Sequence, residues 1–209
     1  MESSTLNIYL ARHGQDEDNA AGILNGHRDN PLTAKGVEQA EGLAAHVQAA
    51  GIHFDAVYAS PLRRAFKTAE IVAAHVHAPK PVVLDLIIER NFGVMTGKPV
   101  ASITETCAPD ILQAGQLTYF LKVDGAESFP ELYERAGKAL DAVRKSHHSG
   151  NILLVAHGDI GKMLYGNFYG LDWLSVLKNF HFGNSELLLC SPMSPAEETH
   201  IFSTPQFNH

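Results

Sequence analysis

Residues 6–14 read LNIYLARHG, a largely apolar run that ends abruptly in an arginine, a histidine and a glycine. The segment from Leu6 to Ala11 predicts a buried first strand. Arg12, His13 and Gly14 then follow at the carboxyl end of that strand. In open α/β sheets ligands bind outside the carboxyl ends of the strands. The stretch therefore predicts a sheet with a polar site at its edge.

The rest of the chain alternates strand-like and helix-like segments, which is typical of a mostly parallel sheet covered on both faces. We expect an α/β fold, a three-layer α/β/α sandwich, in one domain over residues 1–209, with the weakly patterned residues 99–123 as a cap or lid. The further predicted strands are 56–59, 82–88, 152–156, 187–190 and 200–202. The predicted helices are 34–50, 62–77, one capped by Ser128 that runs to 145, and one that begins near 160. Residues after 204 are expected to fray.

Composition excludes several classes of protein. Hydrophobic residues make up 45% and charged residues 19% of 209 residues, which is enough for a substantial core. A net charge of −7 argues against nucleic acid or an anionic membrane as a partner. Cys107 and Cys190 have no partner spacing, and residues 1–4 lack the basic start of a signal peptide. We therefore expect a cytoplasmic protein with reduced thiols, either a monomer or a homodimer.

Polar residues recur directly after the predicted strands. Arg64 follows the second strand, Glu89 and Arg90 follow the third, and His157 with Gly158 follows a later one. Together with Arg12 and His13, they would lie along one edge of the sheet. Strand positions by themselves leave open whether these side chains form one site or are ordinary solvated residues.

The residue types of this set suit one task, the transfer of a phosphoryl group. A phosphate monoester carries about −1.5 to −2 charge at neutral pH, and guanidinium groups bind its oxygens in pairs. A neutral imidazole can act as the nucleophile, and a carboxylic acid can protonate the departing oxygen. Fixed positive groups stabilise the charge on the transferring phosphoryl group. We expect neither a metal nor a cofactor.

These residues and their flanks resemble the histidine phosphatase superfamily, also called phosphoglycerate mutase-like. The likeness spans nearly the whole chain and keeps the order of the family's motifs. It rests on residues 10–15 with the Arg-His-Gly signature, Asn19, residues 26–33 ending in Pro-Leu-Thr, and the segments 60–69, 89–93, 125–129 and 156–158.

The resemblance implies a role for each matching residue. His13 would be the nucleophile, Arg12, Arg64 and His157 would hold the phosphate, and Glu89 would be the proton donor. Further substrate contacts are expected from Asn19, Asn25, Arg90 and Gly158. The implied partner is a small phosphorylated metabolite, cleaved through a phosphohistidine intermediate.

Two alternatives remain beside this phosphomonoester phosphatase. The first is a cofactor-dependent phosphoglycerate mutase, whose relatives carry an Arg-Arg pair after the acid motif. Residues 99–125 contain no arginine and only one basic residue, Lys122, and Phe92 stands where mutases usually have tyrosine. The second alternative is a non-catalytic phosphate-binding protein on the same fold, a class that usually lacks the nucleophile or the acid.

Overall fold

The structure of the protein is a computed structural model that describes residues 5–203. The expectations about a leader at residues 1–4 and about fraying after residue 204 fall outside this range. Within it, no helix combines the length and the apolar character needed to cross a membrane.

A six-stranded sheet forms the centre of the domain, in the strand order β3-β2-β6-β1-β7-β8. The four strands from β3 to β1 are parallel, whereas β7 and β8 are antiparallel to their neighbours. A separate hairpin is formed by β4 and β5. The strands are β1 (Leu6–Arg12), β2 (Ala56–Ala59), β3 (Val82–Val83), β4 (Ile111–Ala114), β5 (Leu117–Phe120), β6 (Gly150–Ala156), β7 (Leu187–Cys190) and β8 (His200–Phe202).

Across residues 5–203, seven α-helices accompany the strands: α1 (Glu17–Ala21), α2 (Ala34–Ala49), α3 (Arg63–His75), α4 (Ile103–Cys107), α5 (Phe129–Ser146), α6 (Gly158–Tyr169) and α7 (Trp173–Asn179). Local chemistry explains where two of the long helices begin. The Thr33 hydroxyl accepts from the N–H of Gly36 at the start of α2. Ser128 and Glu131 form a capping box at the start of α5. The predictions for α2, α3 and α5 are therefore confirmed to within two residues.

Helices cover both faces of the sheet, as the alternation along β1 requires. Ile8 and Leu10 pack in a core with residues of α5 and α6. Tyr9 and Ala11 point the other way, into a core with residues of α2 and α3. The predicted three-layer α/β/α sandwich with a mostly parallel sheet is confirmed.

The strand predicted at 82–88 is wrong for most of its length. Only Val82 and Val83 pair with β2, opposite Tyr58 and Ala59. Since β3 is an edge strand with one neighbour, its pairing ends where β2 ends at Ala59. The chain then turns into a 3₁₀-helix over Asp85–Ile87, which buries Ile87. This turn brings the following residue, Ile88, and then Glu89 back toward the centre of the sheet edge.

Three further elements differ from the expectation. Helix α6 begins at Gly158 rather than near 160, and α7 was not predicted. Residues 99–123 are partly helical, as expected, but they also contain the unpredicted β4–β5 hairpin. Ile103 and Phe120 of this segment pack with Leu24 and Phe92 in a small apolar cluster, separate from the two cores beside the sheet.

Candidate active site

His13 lies at the carboxyl end of β1 and is buried. Its backbone N–H donates to the carbonyl of Ala156 at 3.0 Å, which continues the pairing of β1 with β6. The ring Nδ1 lies 2.6 Å from the Gly14 carbonyl oxygen. Because a carbonyl can only accept, Nδ1 carries the proton and the lone pair of the ring lies on Nε2. The nitrogen that is available to attack is therefore Nε2.

Gly14 holds the backbone after His13 against the first turn of α2. A Cβ atom at Gly14 would lie 2.2 Å from the Gly36 carbonyl oxygen, and one at Gly36 would lie 2.0 Å from the Gln15 carbonyl oxygen. The Gly14 N–H also donates to the Thr68 hydroxyl of α3 at 3.1 Å. The glycine of the Arg-His-Gly signature thus permits a close approach that fixes the His13 backbone.

Arg64, in the first turn of α3, joins the two histidines. Its Nε lies 3.3 Å from Nε2 of His13 and 3.2 Å from Nδ1 of His157. Its two terminal nitrogens donate to the carbonyls of Arg28 and Gly26 at 2.6 and 2.9 Å. These anchors fix the plane of a guanidinium that is fully buried.

His157 is the N-cap residue of α6 and follows β6. Its Nε2 lies 2.7 Å from the Ser60 hydroxyl, while Nδ1 accepts from Arg64. The centroids of the His13 and His157 rings are 5.0 Å apart. The structure thus places residues 13, 64 and 157 together at the carboxyl edge of the sheet.

Both imidazoles are neutral in this setting. Burial and then the Arg64 guanidinium hold the pKa of His13 well below 6.5, and the same two causes lower the pKa of His157. A neutral His13 ring keeps the Nε2 lone pair that nucleophilic attack requires. His157 is therefore a neutral hydrogen-bonding group here, and the positive field predicted for this site comes from the arginines.

Arg12, the last residue of β1, lies behind the histidines. Its guanidinium donates to the Phe182 carbonyl at 2.8 Å and lies against Gly158, where a Cβ atom would be 3.4 Å from Cζ. Burial lowers the pKa of Arg12, and the negative charges of Glu89 and Asp16 oppose that shift. Gly158 thus leaves room for the Arg12 guanidinium at the first turn of α6.

The Glu89 carboxyl group lies at the first turn of α6, directly after the N-cap residue His157. Its Oε1 accepts from the N–H groups of Arg90 at 2.8 Å and Ile160 at 3.1 Å, and its Oε2 accepts from that of Asp159 at 3.2 Å. Burial, followed by the nearby Asp159 carboxylate, raises the pKa of Glu89. A carboxyl group held in this way keeps its proton to a higher pH than an ordinary glutamate, which suits a proton donor.

Asn19 and Asn25 reach the site through other residues. The Asn184 side-chain amide donates both to the His13 carbonyl at 2.9 Å and to Oδ1 of Asn19 at 3.2 Å. The Asn25 amide donates to Asp16 at 2.8 Å. Asn19 is therefore linked to His13 by Asn184, and Asn25 is linked to Arg64 by Asp16.

Asp16 was not among the predicted site residues. Its carboxylate is fully buried, lies 3.1 Å from Nε of Arg64, and caps α1 through the N–H of Asn19. Burial raises its pKa, while Arg64 acts in the opposite direction. Its place three residues after His13 and directly before a short helix was the available signal. Asp16 is the counter-ion of the central arginine.

Arg90 lines a small cavity beside Glu89. Its Nε pairs with Asp159 at 2.8 Å, and its guanidinium lies over three phenylalanine rings. The cavity has a volume of about 20 Å³, room for a single water molecule. Its lining also includes Gly158 and Lys162, and the β5 residues Thr118, Tyr119 and Phe120. Lys162 was not predicted, since its position on the helix looks like part of the core.

Residues 25–30 shield the reacting groups from solvent. Residues 25–30 cross over Arg64 through the two carbonyl contacts described above, and His27 donates to the Glu89 carbonyl at 2.7 Å. His13 is 1% exposed, and Glu89 is 5% exposed. The site thus brings together, away from solvent, an imidazole nitrogen with a free lone pair, two guanidinium groups and a buried carboxyl group whose pKa is raised.

The chain matches the model of the Histidine phosphatase superfamily (branch 1) over residues 8–193. It is 29% identical to Phosphoserine phosphatase 1 of Hydrogenobacter thermophilus over 180 residues, which cover 86% of this chain and 83% of that protein. It is 33% identical over 167 residues to the protein named "Probable phosphoglycerate mutase GpmB" of Escherichia coli, covering 79% and 76% of the two chains. The crystal structure of the alpha-ribazole phosphatase of Shigella flexneri superposes with a TM-score of 0.73 at 24% identity, over 88% of this chain and 89% of that one. This last likeness shows the shared fold.

Proposed function

This chain belongs to the histidine phosphatase superfamily, and we propose that it is a metal-independent phosphomonoester phosphatase that works through a phosphohistidine intermediate. One observation carries the proposal: Nε2 of His13 and Nδ1 of His157 both lie within 3.3 Å of the same guanidinium nitrogen of Arg64. A phosphoryl group at that point meets a nucleophile, a hydrogen-bonding imidazole and a fixed positive charge together.

The first step transfers the phosphoryl group to His13. The Nε2 lone pair forms a bond to phosphorus as the bond from phosphorus to the ester oxygen breaks. Glu89 gives its proton to that oxygen, and the alcohol leaves while Glu89 becomes a carboxylate. The Gly14 carbonyl stabilises the positive charge that forms on the ring, because it accepts from Nδ1–H at 2.6 Å.

The second step restores the enzyme. The Glu89 carboxylate takes a proton from a water molecule, whose oxygen attacks phosphorus as the bond to Nε2 breaks. Inorganic phosphate, neutral His13 and protonated Glu89 result.

Through both steps the guanidinium groups of Arg12 and Arg64 hold the phosphoryl oxygens. His157 donates to them from Nδ1 once the ring proton is on that nitrogen, and the Ser60 hydroxyl then donates to Nε2, 2.7 Å away. Asn19 and Asn25 lie at the border of the site, and Gly158 leaves the space for Arg12.

The cap role of residues 99–123 belongs to this proposal. The β5 residues 118–120 line the cavity that contains Glu89, and the catalytic side chains are almost completely buried. A substrate therefore needs the hairpin or residues 25–30 to move before it can enter. We also keep a cytoplasmic location as part of the proposal, because Cys107 and Cys190 are buried and unpaired, which suits a reducing compartment.

Hydrolysis, rather than mutase activity, is favoured by the composition of the segment around the acid. A mutase must hold a bisphosphorylated intermediate while it reorients, which needs strong positive groups in the cap. Residues 99–125 supply only Lys122, which is exposed. With 3-phosphoglycerate and 2,3-bisphosphoglycerate together, we expect phosphate release to exceed isomer exchange, and the reverse result would establish the mutase.

The decisive experiment measures turnover of p-nitrophenyl phosphate in the presence of a chelator. We expect hydrolysis by the wild-type protein, no hydrolysis by His13→Ala, and acid-labile labelled phosphate on the wild-type protein after rapid quenching. Lys138→Ala, at an exposed position on α5, is the control for general damage. Absence of turnover with any phosphomonoester would favour the phosphate-binding protein, and persistent turnover in His13→Ala would exclude the proposed nucleophile.

A further inference from the structure

Arg135, on the second turn of α5, contacts the segment that carries Glu89. Its Nη1 donates to the carbonyls of Leu86 at 2.8 Å and Ile88 at 2.7 Å, and its Nη2 donates to the carbonyl of Glu89 at 3.3 Å. The remaining donors go to Glu127, whose two carboxylate oxygens accept from Nε and Nη2 at 2.7 Å each. A guanidinium group has five N–H donors, and here each of the five has an acceptor.

These contacts take the place of a strand partner. Since β2 ends at Ala59 and β3 ends at Val83, the carbonyl groups of residues 86, 88 and 89 lie beyond the pairing of the two strands. A backbone carbonyl that is shielded from water needs a donor. Arg135 supplies one to each of these carbonyls while it binds a carboxylate with two hydrogen bonds, which the three donors of a lysine could not do.

Glu127 connects Arg135 to the same segment a second time. The two side chains form an ion pair in which each is 18% exposed. The Glu127 backbone N–H donates to the Asn91 carbonyl at 2.9 Å, and the Glu127 carbonyl accepts from Arg90 at 3.4 Å. The chain is therefore held to the start of α5 both before and after the acid.

The Glu89 carboxyl group is held by a different helix. It accepts from the N–H groups of Asp159 and Ile160 in the first turn of α6, whereas the Glu89 backbone is held by α5 through Arg135. The charges of Arg135 and Glu127 cancel, and every N–H of this guanidinium has an acceptor. The arginine therefore has no donor left for a phosphate oxygen, and its contacts act on the position of the acid.

His27 gives the Glu89 carbonyl a further donor, at 2.7 Å. It lies on residues 25–30 and is exposed. Arg135, in contrast, belongs to a helix of 18 residues whose apolar side packs in the core with β1 and β6. Of the two donors, Arg135 is the one attached to a rigid part of the fold.

We propose that Arg135, held by Glu127, is a positioning residue for the proton donor: it fixes the Glu89 backbone so that the carboxyl group stays where it can protonate the leaving group. This inference rests on the proposed phosphatase function, because Glu89 delivers a proton only in that reaction. A misplacement of about 1 Å in an active site can cost about a hundredfold in rate. Loosening the segment should therefore slow the step that Glu89 assists more than any other step.

Arg135→Lys tests the inference, since it keeps the charge and removes the planar fork. The readout is the ratio of two kcat/KM values, that for glycerol 3-phosphate over that for p-nitrophenyl phosphate. The ratio isolates the acid because an alkoxide needs the proton, whereas p-nitrophenolate departs with little help. We expect Arg135→Lys to lower the ratio by about ten- to a hundredfold. Arg144→Lys makes the same change at an exposed position of α5 and should leave the ratio unchanged.

A double variant separates positioning from general support of the fold. In Glu89→Gln the acid is already absent, so adding Arg135→Lys should cause no further fall in the ratio. A further fall of the same size in that background, or an Arg135→Lys ratio equal to that of wild-type protein, would overturn the inference. If Arg135→Lys does not fold, Glu127→Gln keeps the arginine and weakens only its ion pair. Its ratio should then fall up to about tenfold, and an unchanged ratio would overturn the inference.

Hydrogen exchange tests the same contacts without turnover. The N–H groups of Asp159 and Ile160 donate to the Glu89 carboxyl group, so they should exchange faster in Arg135→Lys than in Arg144→Lys if the acid has become mobile. Faster exchange in a protein that hydrolyses no phosphomonoester would refute the phosphatase proposal and support the hold of Arg135 on Glu89. Hydrolysis of both esters, with the ratio and the exchange unchanged by Arg135→Lys, would refute the positioning role alone.

Discussion

Replacing Glu89 by glutamine tests the proton donor with little change of shape. A glutamine carbonyl in the place of Oε1 can still accept from the N–H groups of Arg90 and Ile160 at 2.8 and 3.1 Å. The amide nitrogen would then face the Asp159 N–H, which now donates to Oε2 at 3.2 Å. One hydrogen bond is lost, so we expect the free energy of unfolding to fall by about 1 kcal/mol.

The effect on catalysis should be much larger and should depend on the leaving group. Protonation by a positioned acid contributes about 10²- to 10⁴-fold, or roughly 3–5 kcal/mol. We expect a loss of that size for alkyl phosphates, whose alkoxide is a poor leaving group. For p-nitrophenyl phosphate the loss should be less than about tenfold, because a phenolate departs with little help.

The pH profile gives a second measurement of the same residue. The acid works only while protonated, and burial raises the pKa of Glu89. Wild-type kcat/KM for an alkyl ester should therefore fall as the pH rises through that raised pKa, relative to the aryl ester. Asp159 also raises it, so Asp159→Asn should move the fall to lower pH, and Glu89→Gln should abolish it.

The assay compares initial phosphate release from the two esters by wild-type protein, Glu89→Gln and the control Glu70→Gln, which changes a half-exposed residue of α3. Stability is followed by thermal unfolding in the same buffers. Equal losses of kcat/KM for the alkyl and aryl esters in Glu89→Gln would contradict the acid role. So would a ratio of the two kcat/KM values that still changes with pH in Glu89→Gln.

Three other changes have expected outcomes. Arg64→Lys should lower kcat/KM at least about a hundredfold, since a point charge cannot keep two carbonyl anchors and contact phosphate; near-normal kinetics would count against the assignment. Gly14→Ala should unfold the protein or greatly lower its Tm, because the new Cβ would lie 2.2 Å from the Gly36 carbonyl oxygen. The control Gly42→Ala places a Cβ on an open helix surface and should raise the free energy of unfolding by about 0.5–1 kcal/mol. Burial lowers the pKa of His13, so its contribution to stability is present above pH 6.5 and is lost as the pH falls toward the lowered pKa. The Tm of His13→Asn should therefore fall less than that of wild-type protein between pH 7 and pH 5. Parallel plots of Tm against pH for the two proteins would refute this.

The main residues of the site could be located from the sequence because each lies directly after a predicted strand. His13 and His157 each follow an apolar run that becomes a central strand, and Arg64 lies in the first turn of the helix after β2, so strand positions placed all three at one edge of the sheet. Those positions left open whether the side chains form one site. The grouping and the roles came from the resemblance to the family.

Residues that act through tertiary contacts were not predictable in this way. Lys162 lies on a buried helix where an apolar residue would be expected, and only the hairpin opposite shows what surrounds it. Asp16 resembles an ordinary helix cap, and its contact with Arg64 joins residues 48 positions apart along the chain. The early end of β3 was hidden for a related reason, because strand length depends on the neighbour and β2 is only four residues long.

The contact between Asp16 and Arg64 also explains how an acidic protein can bind and release an anion. Arg64 is fully buried, and without Asp16 at 3.1 Å its charge would lack a close counter-ion whenever phosphate is absent. Nε of Arg64 lies near Asp16 and both histidines, so in the proposed mechanism a phosphate oxygen bound there would share that nitrogen with the Asp16 carboxylate. Asp16 thereby stabilises the substrate-free enzyme and weakens the hold on product phosphate, which favours turnover over tight binding.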